Sequence, residues 1–347
     1  MIYIFLFILA CGMTWLLTLG VRTCALTCDI TDKPTSPRKI HVRPVPLLGG
    51  VGIYLSFAAV MVGYLFFAPA SWPTLTDAHV LPRHIIGILI AGFFLMIGGF
   101  LDDIYTLKPY QQIIWPILAT LTVIMSGIGV EKITNPFGGY IILNEPLSNV
   151  LTFVWLLTII YTTKFLDGLD GLVSGMTVIN ATIIVFLSLF FFVNVPTAVL
   201  AVLVAGCFFG FLIWNFHPAK IFLGEAGSTL AGFLLGVLAI ISGAKFATAL
   251  LMLGIPVLDG AWVVFRRLCM ERRSPFQGDT KHIHFRLLSV GFSQRQAVFF
   301  LYGMSAIFGG LALFLQSSQK IAALAAVCGI MIVLAYVFFR TEKRGVR

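Results

Sequence analysis

Charge is scarce in this chain. Of its 347 residues, 23 are Lys or Arg and 14 are Asp or Glu, 11% in all, against about 25% in soluble domains. That is too little to cover a soluble surface, and 59% of the residues are hydrophobic. Soluble enzymes, secreted domains and disordered regulators are excluded. Cysteine is sparse and scattered: of Cys11, Cys24, Cys28, Cys207, Cys269 and Cys328, only Cys24 and Cys28 are close. No His or Cys nearby completes a zinc pattern, so all six read as small apolar fillers. There is no low-complexity linker and no repeat at the period of a helical pair, which makes one membrane domain over 1–347 the simplest organisation. No Lys or Arg precedes the apolar run 1–20, the first being Arg22. The run therefore reads as a retained first helix rather than a cleaved signal peptide.

What is present is a series of long apolar runs: 1–21, 47–68, 84–101, 111–128, 148–165, 174–193, 197–214, 227–243, 246–268, 293–316 and 319–340. A hydrocarbon core of ~30 Å needs about 20 residues, and most runs reach that. The expected fold is an all-α polytopic membrane protein with 10–11 transmembrane helices. With the N-terminus outside, every Lys and Arg except Arg83, Lys132, Lys245 and Lys320 falls on the inner side, a strong positive-inside bias. The net charge of +9 is then a topology signal, and no nucleic-acid partner is implied. The basic C-terminus also lies inside, as an odd number of spans requires. In the outer segment 129–147, Asn135-Pro136 and Gly138-Gly139 are turn signals between β-prone runs, which predicts a small external β-hairpin.

The acids follow the same division. All but Asp77, Glu131 and Glu145 lie inside, most of them at helix ends. Acids do not help a positive-inside topology; at a membrane boundary they point to a site. Asp102 and Asp103 are adjacent and need a cation, a basic partner or water. Asp167 and Asp170 are three apart, on one face of a helical turn. Four carboxylates in two inner loops suit an oxygen-ligand site for Mg²⁺ or Mn²⁺ that also takes phosphate oxygens. Glu225 stands in Gly-Glu-Ala-Gly-Ser, the start of another helix, as a ligand or base. Lys33, Arg38, Lys39, His41 and Arg43 crowd the proline-rich loop 22–46, either as a topology signal that attracts anionic lipid or as an anion site aided by the Gly49-Gly50 backbone. His282-Ile283-His284-Phe285-Arg286 lies in a basic stretch, with no third ligand evident for zinc; cationic contact with a diphosphate fits it better.

In this order the segments DKPTSPRKIHVRPVPLLGG (32–50), GGFLDDIYTLKP (98–109), NPFGGYI (135–141), KFLDGLDGLVSG (164–175), NFHPAKIFLGEAGST (215–229), PVLDG (256–260) and RRSPFQGDTKHIHFRLL (272–288) resemble the polyprenyl-phosphate N-acetylhexosamine-1-phosphate transferases of glycosyltransferase family 4. The resemblance implies that a lipid phosphate, undecaprenyl phosphate, attacks the sugar-bearing phosphorus of a UDP-N-acetylhexosamine in a bacterial inner membrane. UMP leaves, and a lipid-diphosphate-sugar forms for cell-envelope glycan synthesis. It implies catalytic roles for Asp102, Asp103, Asp167 and Asp170, a Mg²⁺ or Mn²⁺ held by Asp102, Asp103, Asp167 and Glu225, and substrate binding by Lys39, His41, Lys164, Asn215, His282, His284 and Arg286. A homodimer is left open. The 282–286 loop and Asp259 are closer to the N-acetylglucosamine branch than to the related phospho-N-acetylmuramoyl-pentapeptide transferases, which stand as the alternative, although Phe285 departs from that branch. Lys164 stands where the family has an Asn, Glu225 where it has an Asp, and Gln112 where a Lys is common. Two readings of Lys164 follow: it supplies positive charge by contacting the diphosphate directly and pairs with Glu225 when substrate is absent, or it only points into the inner aqueous layer while Mg²⁺ stays bound through Asp102, Asp103, Asp167 and Glu225. A transporter would not need acids confined to one face in this pattern, and the residues after the Asp-Gly pairs do not match a CDP-alcohol phosphotransferase.

Overall fold

The computed structural model describes residues 1–34, 43–77, 80–135, 139–243, 246–252, 254–271, 282–315, 319–320, 322–330 and 333. In chain order the elements are α1 (Ile2–Thr27), β1 (Thr31–Asp32), β2 (Val45–Pro46), α2 (Gly49–Phe67), α3 (Pro82–Tyr105), α4 (Pro109–Gln112), α5 (Ile114–Met125), β3 (Lys132–Thr134), β4 (Tyr140–Ile142) and α6 (Glu145–Leu166). These are followed by α7 (Leu172–Phe186), α8 (Val195–Asn215), α9 (Gly224–Ile241), α10 (Phe246–Met252), α11 (Gly254–Phe265), α12 (Ile283–Ser289) and α13 (Gln294–Phe314). A wider-wound turn, Leu187–Phe191, extends α7. Among the described residues eight helices are long and apolar enough to cross a membrane: α1, α2, α3, α6, α7 with its extension, α8, α9 and α13. The chain is a multi-pass, all-α membrane protein.

One expected span is divided into two helices in series. The run 111–128 is covered by α4 and α5, which meet at Ile113. Pro116 has no N–H to bond the carbonyl of Gln112, so the ladder breaks there. The run 246–268 is helical over Phe246–Met252 and again over Gly254–Phe265; residue number 253 lies outside the described residues. Most of the last expected span, 319–340, is helical where described; its final part lies outside the described residues.

The bundle centres on α8 and α9, whose spans are 78% buried, against 22% for α1. The outer helices present apolar side chains such as Phe5, Ile8, Phe93 and Ile307 outward, as a bilayer requires. Two of the long helices are capped at their starts by asparagine side chains. Asn144 accepts from the Leu147 N–H and Asn194 from the Thr197 N–H, both at 3.1 Å, satisfying donors that a helix start leaves orphaned.

The hairpin expected in 129–147 is present: β3 and β4 pair antiparallel, with Lys132 opposite Ile142 and Thr134 opposite Tyr140. A second small ladder, β1 with β2, pairs Thr31 with Pro46 and brings the two ends of the basic loop together; residue numbers 35–42 of that loop lie outside the described residues.

Three helices meet backbone to backbone where α3 ends and α2 and α9 begin. A Cβ on Gly99 would overlap the backbone of Ala226, and one on Gly50 would overlap the backbone of Gly227. Only glycine permits that approach. The Gly49 and Gly50 N–H groups, expected to help hold an anion, are taken instead by the carbonyls of Phe222 and Leu223 at 3.1 and 2.8 Å. These glycines build the site without facing it.

Candidate active site

The acids of the LDD, DGLD and GEAGS segments come from helix ends at one end of the bundle. Asp102 and Asp103 close α3, Asp167 and Asp170 follow α6, and Glu225 lies in the first turn of α9. The close packing of α3 on α9 sets Asp103 beside that first turn. Its Oδ1 accepts the Glu225 N–H at 3.0 Å, while its Oδ2 is buried with no hydrogen-bond partner among the described residues.

Asp102 faces another way. Its Oδ1 accepts the Leu107 N–H at 2.7 Å and the Gln112 side-chain amide at 2.8 Å. The first bond turns the chain at the end of α3, where Thr106 takes φ 51°. The second begins a relay: Gln112 Oε1 accepts from Lys164 Nζ at 2.9 Å, and Lys164 Nζ pairs with Glu225 Oε1 at 2.5 Å. Lys164 is carried there because α6 is fastened along α9. The Thr163 hydroxyl sits 3.0 Å from the Ser228 carbonyl, and Trp155 Nε1 donates to the Gly236 carbonyl at 3.1 Å.

Asp170 Oδ2 is engaged by His217 Nδ1 at 2.7 Å and by the Ala219 N–H at 3.1 Å. Asn215, expected to bind substrate, is buried, and its amide joins the two loops. Its Oδ1 accepts from the Gly171 N–H at 3.1 Å and the Ser174 hydroxyl at 2.8 Å, and its Nδ2 donates to the Ile221 carbonyl at 3.0 Å. A cavity of about 530 Å³ opens beside this joint, lined among others by Arg43, Asp167, Asp170, His217 and Phe285. Desolvation pushes the Asp167 carboxyl up to about 8, with smaller contributions from the nearby Glu225 and Asp170 carboxylates.

The 282–286 segment packs against the same loops. Asp259 Oδ2 bonds His282 Nδ1 at 2.8 Å, and its Oδ1 accepts the Ile283 N–H at 2.9 Å. His282 stacks on His284, with centroids 5.6 Å apart and planes within 8°. His284 is fully buried and presses on Gly168, where a Cβ would strike its Nε2. Burial holds its pKa down to about 3, the neighbouring His282 acting the same way against an opposing pull from Asp259. Expected as part of a cationic contact for a diphosphate, His284 is thus a neutral ring packed under the Asp167–Asp170 loop. Arg286 is buried on α12. Lys39 and His41 lie outside the described residues.

Three partners were not assigned a role from the sequence: Gln112 as the relay, His217 as the partner of Asp170, and Tyr302, whose hydroxyl donates to the Gly171 carbonyl. His217 sits in the quoted motif and was legible there. Tyr302 lies on α13, 131 residues from its partner, with no local signal. On the same helix Arg295 donates to the His217 carbonyl at 2.9 Å, so α13 holds both loops.

The donor chemistry fits a hard divalent cation: oxygen-only, with the unpartnered Asp103 Oδ2 and the desolvated Asp167 carboxyl near Glu225. Among the described residues no three His, Cys, Asp or Glu side chains are already gathered as a ligand set, and Lys164 is seated on Glu225.

Carboxylates and basic side chains gathered at the mouth of a helical membrane bundle define an enzyme working on charged groups at the bilayer boundary. Residues 85–243 match the family model described as Glycosyl transferase family 4. The decaprenyl-phosphate N-acetylglucosaminephosphotransferase of Mycolicibacterium smegmatis is 31% identical over 358 residues, covering 94% of this chain and 84% of the relative. Its Mycobacterium tuberculosis H37Rv counterpart is 32% identical, covering 76% and 70%. The undecaprenyl-phosphate alpha-N-acetylglucosaminyl 1-phosphate transferase of Escherichia coli K12 is 26% identical, covering 92% and 84%. The chain belongs to glycosyl transferase family 4 and is a membrane-embedded phosphoglycosyl transferase.

Proposed function

We propose that this enzyme transfers N-acetylglucosamine 1-phosphate from its UDP-sugar to undecaprenyl phosphate, releasing UMP and leaving a lipid-diphosphate-sugar. One observation carries the reading: carboxylates from three separate helix ends lie at one end of the bundle, and two of them, Asp167 and Asp170, line a cavity of about 530 Å³. The donor names of the similar transferases agree with it. The acid-bearing end is assigned to the cytoplasm, where nucleotide sugars are made, with the N-terminus outside; the charge asymmetry of the loops supports that orientation.

In the reaction an oxygen of the lipid phosphate attacks the sugar-bearing phosphorus of UDP-N-acetylglucosamine. The bond from that phosphorus to the bridging oxygen breaks, and UMP leaves with the electron pair. A phosphate monoester has a second pKa near ~6, so the attacking group is already ionised at neutral pH. The protein's task is positioning and charge neutralisation more than proton removal. Asp103, Asp167 and Glu225 would hold a Mg²⁺ or Mn²⁺, which when bound would supply countercharge for the diphosphate oxygens. Asp102 Oδ1, accepting from Leu107 and Gln112, orients the relay, and its second carboxylate oxygen would be the one to join that ligand set. Asp170, His217 and Asn215 set the shape of the cavity wall, and Asp259 with His282 and His284 supports the Asp167–Asp170 loop from beneath.

Membranes containing the protein, given a panel of UDP-sugars and undecaprenyl phosphate, are expected to release UMP with UDP-N-acetylglucosamine and not with UDP-N-acetylmuramoyl-pentapeptide. Comparable turnover of the pentapeptide substrate would overturn the sugar assignment.

A further inference from the structure

The Asp102–Gln112–Lys164–Glu225 relay places an ammonium at the centre of a group of acids. Gln112 is fixed at both ends, donating to Asp102 and accepting from Lys164. The Lys164 and Glu225 side chains are largely covered, 17% and 16% exposed, and the ammonium lies 5.6 Å from the Tyr161 ring centroid. An ion pair this sheltered leaves a costly lone charge when one partner is removed. Glu225 is also the acid that the others feel: its charge acts on both Asp103 and Asp167. An ammonium has three donors and no lone pair. It takes one Glu225 oxygen, Oε1, and its positive charge opposes a divalent metal at either oxygen of that carboxylate.

A diphosphate changes the balance of that competition. Phosphate oxygens entering the site add negative charge beside an ammonium already within hydrogen-bond reach of two acceptors. Moving Nζ from Glu225 to a phosphate oxygen keeps it paired, keeps the Gln112 anchor within range, and exposes the Glu225 carboxylate. No covalent bond forms or breaks.

We infer that Lys164 is a built-in cation of this site, which covers Glu225 at rest and passes to a phosphate oxygen on loading, freeing Glu225 for a divalent metal. The inference rests on the reaction proposed above. The phosphate oxygens belong to the nucleoside diphosphate or to the lipid phosphate, and the arms of the experiment separate the two.

The purified full-length protein is titrated with Mn²⁺ by electron paramagnetic resonance, and separately with UDP or farnesyl phosphate by calorimetry in EDTA. Wild type is compared with Lys164→Ala and Lys164→Gln. Removing a charge in contact with Glu225 is expected to tighten Mn²⁺ binding about tenfold in both variants. Saturating wild type with the phosphate ligand is expected to bring its Mn²⁺ affinity toward that of the variants. Metal-free binding of UDP or of farnesyl phosphate is expected to weaken about tenfold in Lys164→Ala, and the ligand that loses more identifies the source of the phosphate. Lys164→Gln, which can still hydrogen-bond Gln112, covers the case of a poorly folded Ala variant. Mn²⁺ affinity within twofold of wild type in the well-folded variants, or metal-free binding of both phosphates unchanged, overturns the inference. Failure of the parent reading looks different: wild type releases no UMP and binds neither phosphate. The Mn²⁺ titration alone still decides whether Lys164 competes for Glu225.

Discussion

Asp103 and Glu225 are 122 residues apart in sequence, and the carboxylate of the first accepts the backbone N–H of the second at 3.0 Å. One Asp103 oxygen thereby caps the start of α9, while the other is buried without a partner among the described residues. A side chain that joined two helices only to stabilise them would not leave its second oxygen in that state, since burying an unpaired polar atom costs about 1–3 kcal/mol.

Asp103→Asn keeps an oxygen for the Glu225 N–H and removes the charge. UMP release is expected to fall about 100-fold or more, with membrane insertion and melting close to wild type. Asp170→Asn, beside His217, is expected to behave likewise. Near wild-type turnover in both would show that the acids are misassigned.

Gly99→Ala tests the backbone contact that sets this geometry. The added methyl would collide with Ala226, an overpacking expected to cost about 1–3 kcal/mol and to depress activity by displacing Asp103. Gly12→Ala on α1 meets nothing within 4 Å and serves as the control. Thermal melts of both variants in detergent make the comparison.

His284 gives stability a pH dependence. An unfolded chain protonates this ring below about 6.5, whereas in the folded protein it stays neutral down to about 3. The native state binds fewer protons across that window, so its stability falls as pH falls. Between pH 6.5 and 4.5 the melting temperature of His284→Gln is expected to drop less steeply than that of wild type. Parallel curves would show that the ring is not held neutral.

Tyr302→Phe removes the hydroxyl that donates to the Gly171 carbonyl. Stability is expected to fall by about 1 kcal/mol, and turnover by several-fold, because the loop carrying Asp167 and Asp170 loses a tether. Unchanged turnover at equal stability would show that α13 plays no part in holding the loop.

Much of this is legible in the sequence alone. Apolar runs marked the helices, paired turn signals marked the hairpin, and the acids stood out because they sat where topology had no use for them. One helix break is hidden because hydropathy does not register a missing N–H at Pro116. The division of labour among polar residues was also hidden. Asn215 and His284 belong to the same motifs as the acids, yet one joins two loops through its amide and the other is a buried neutral ring. Sequence spacing cannot separate a side chain that meets substrate from one that holds its neighbour, because both are polar and both sit at helix ends. Tyr302 gave no sign at all, as its partner is brought near only by the packing of α13 on α7.

The fastening of α6 to α9, through Thr163 on Ser228 and Trp155 on Gly236, also has a kinetic consequence. Lys164 and Glu225 stand on two rods that are tied to each other, so a change of partner between them needs no helix to shift. It requires only side-chain torsions, which relax in picoseconds to nanoseconds where they are free to turn. Exchange of charge partners at the site is therefore expected to proceed with the relative position of α6 and α9 unchanged.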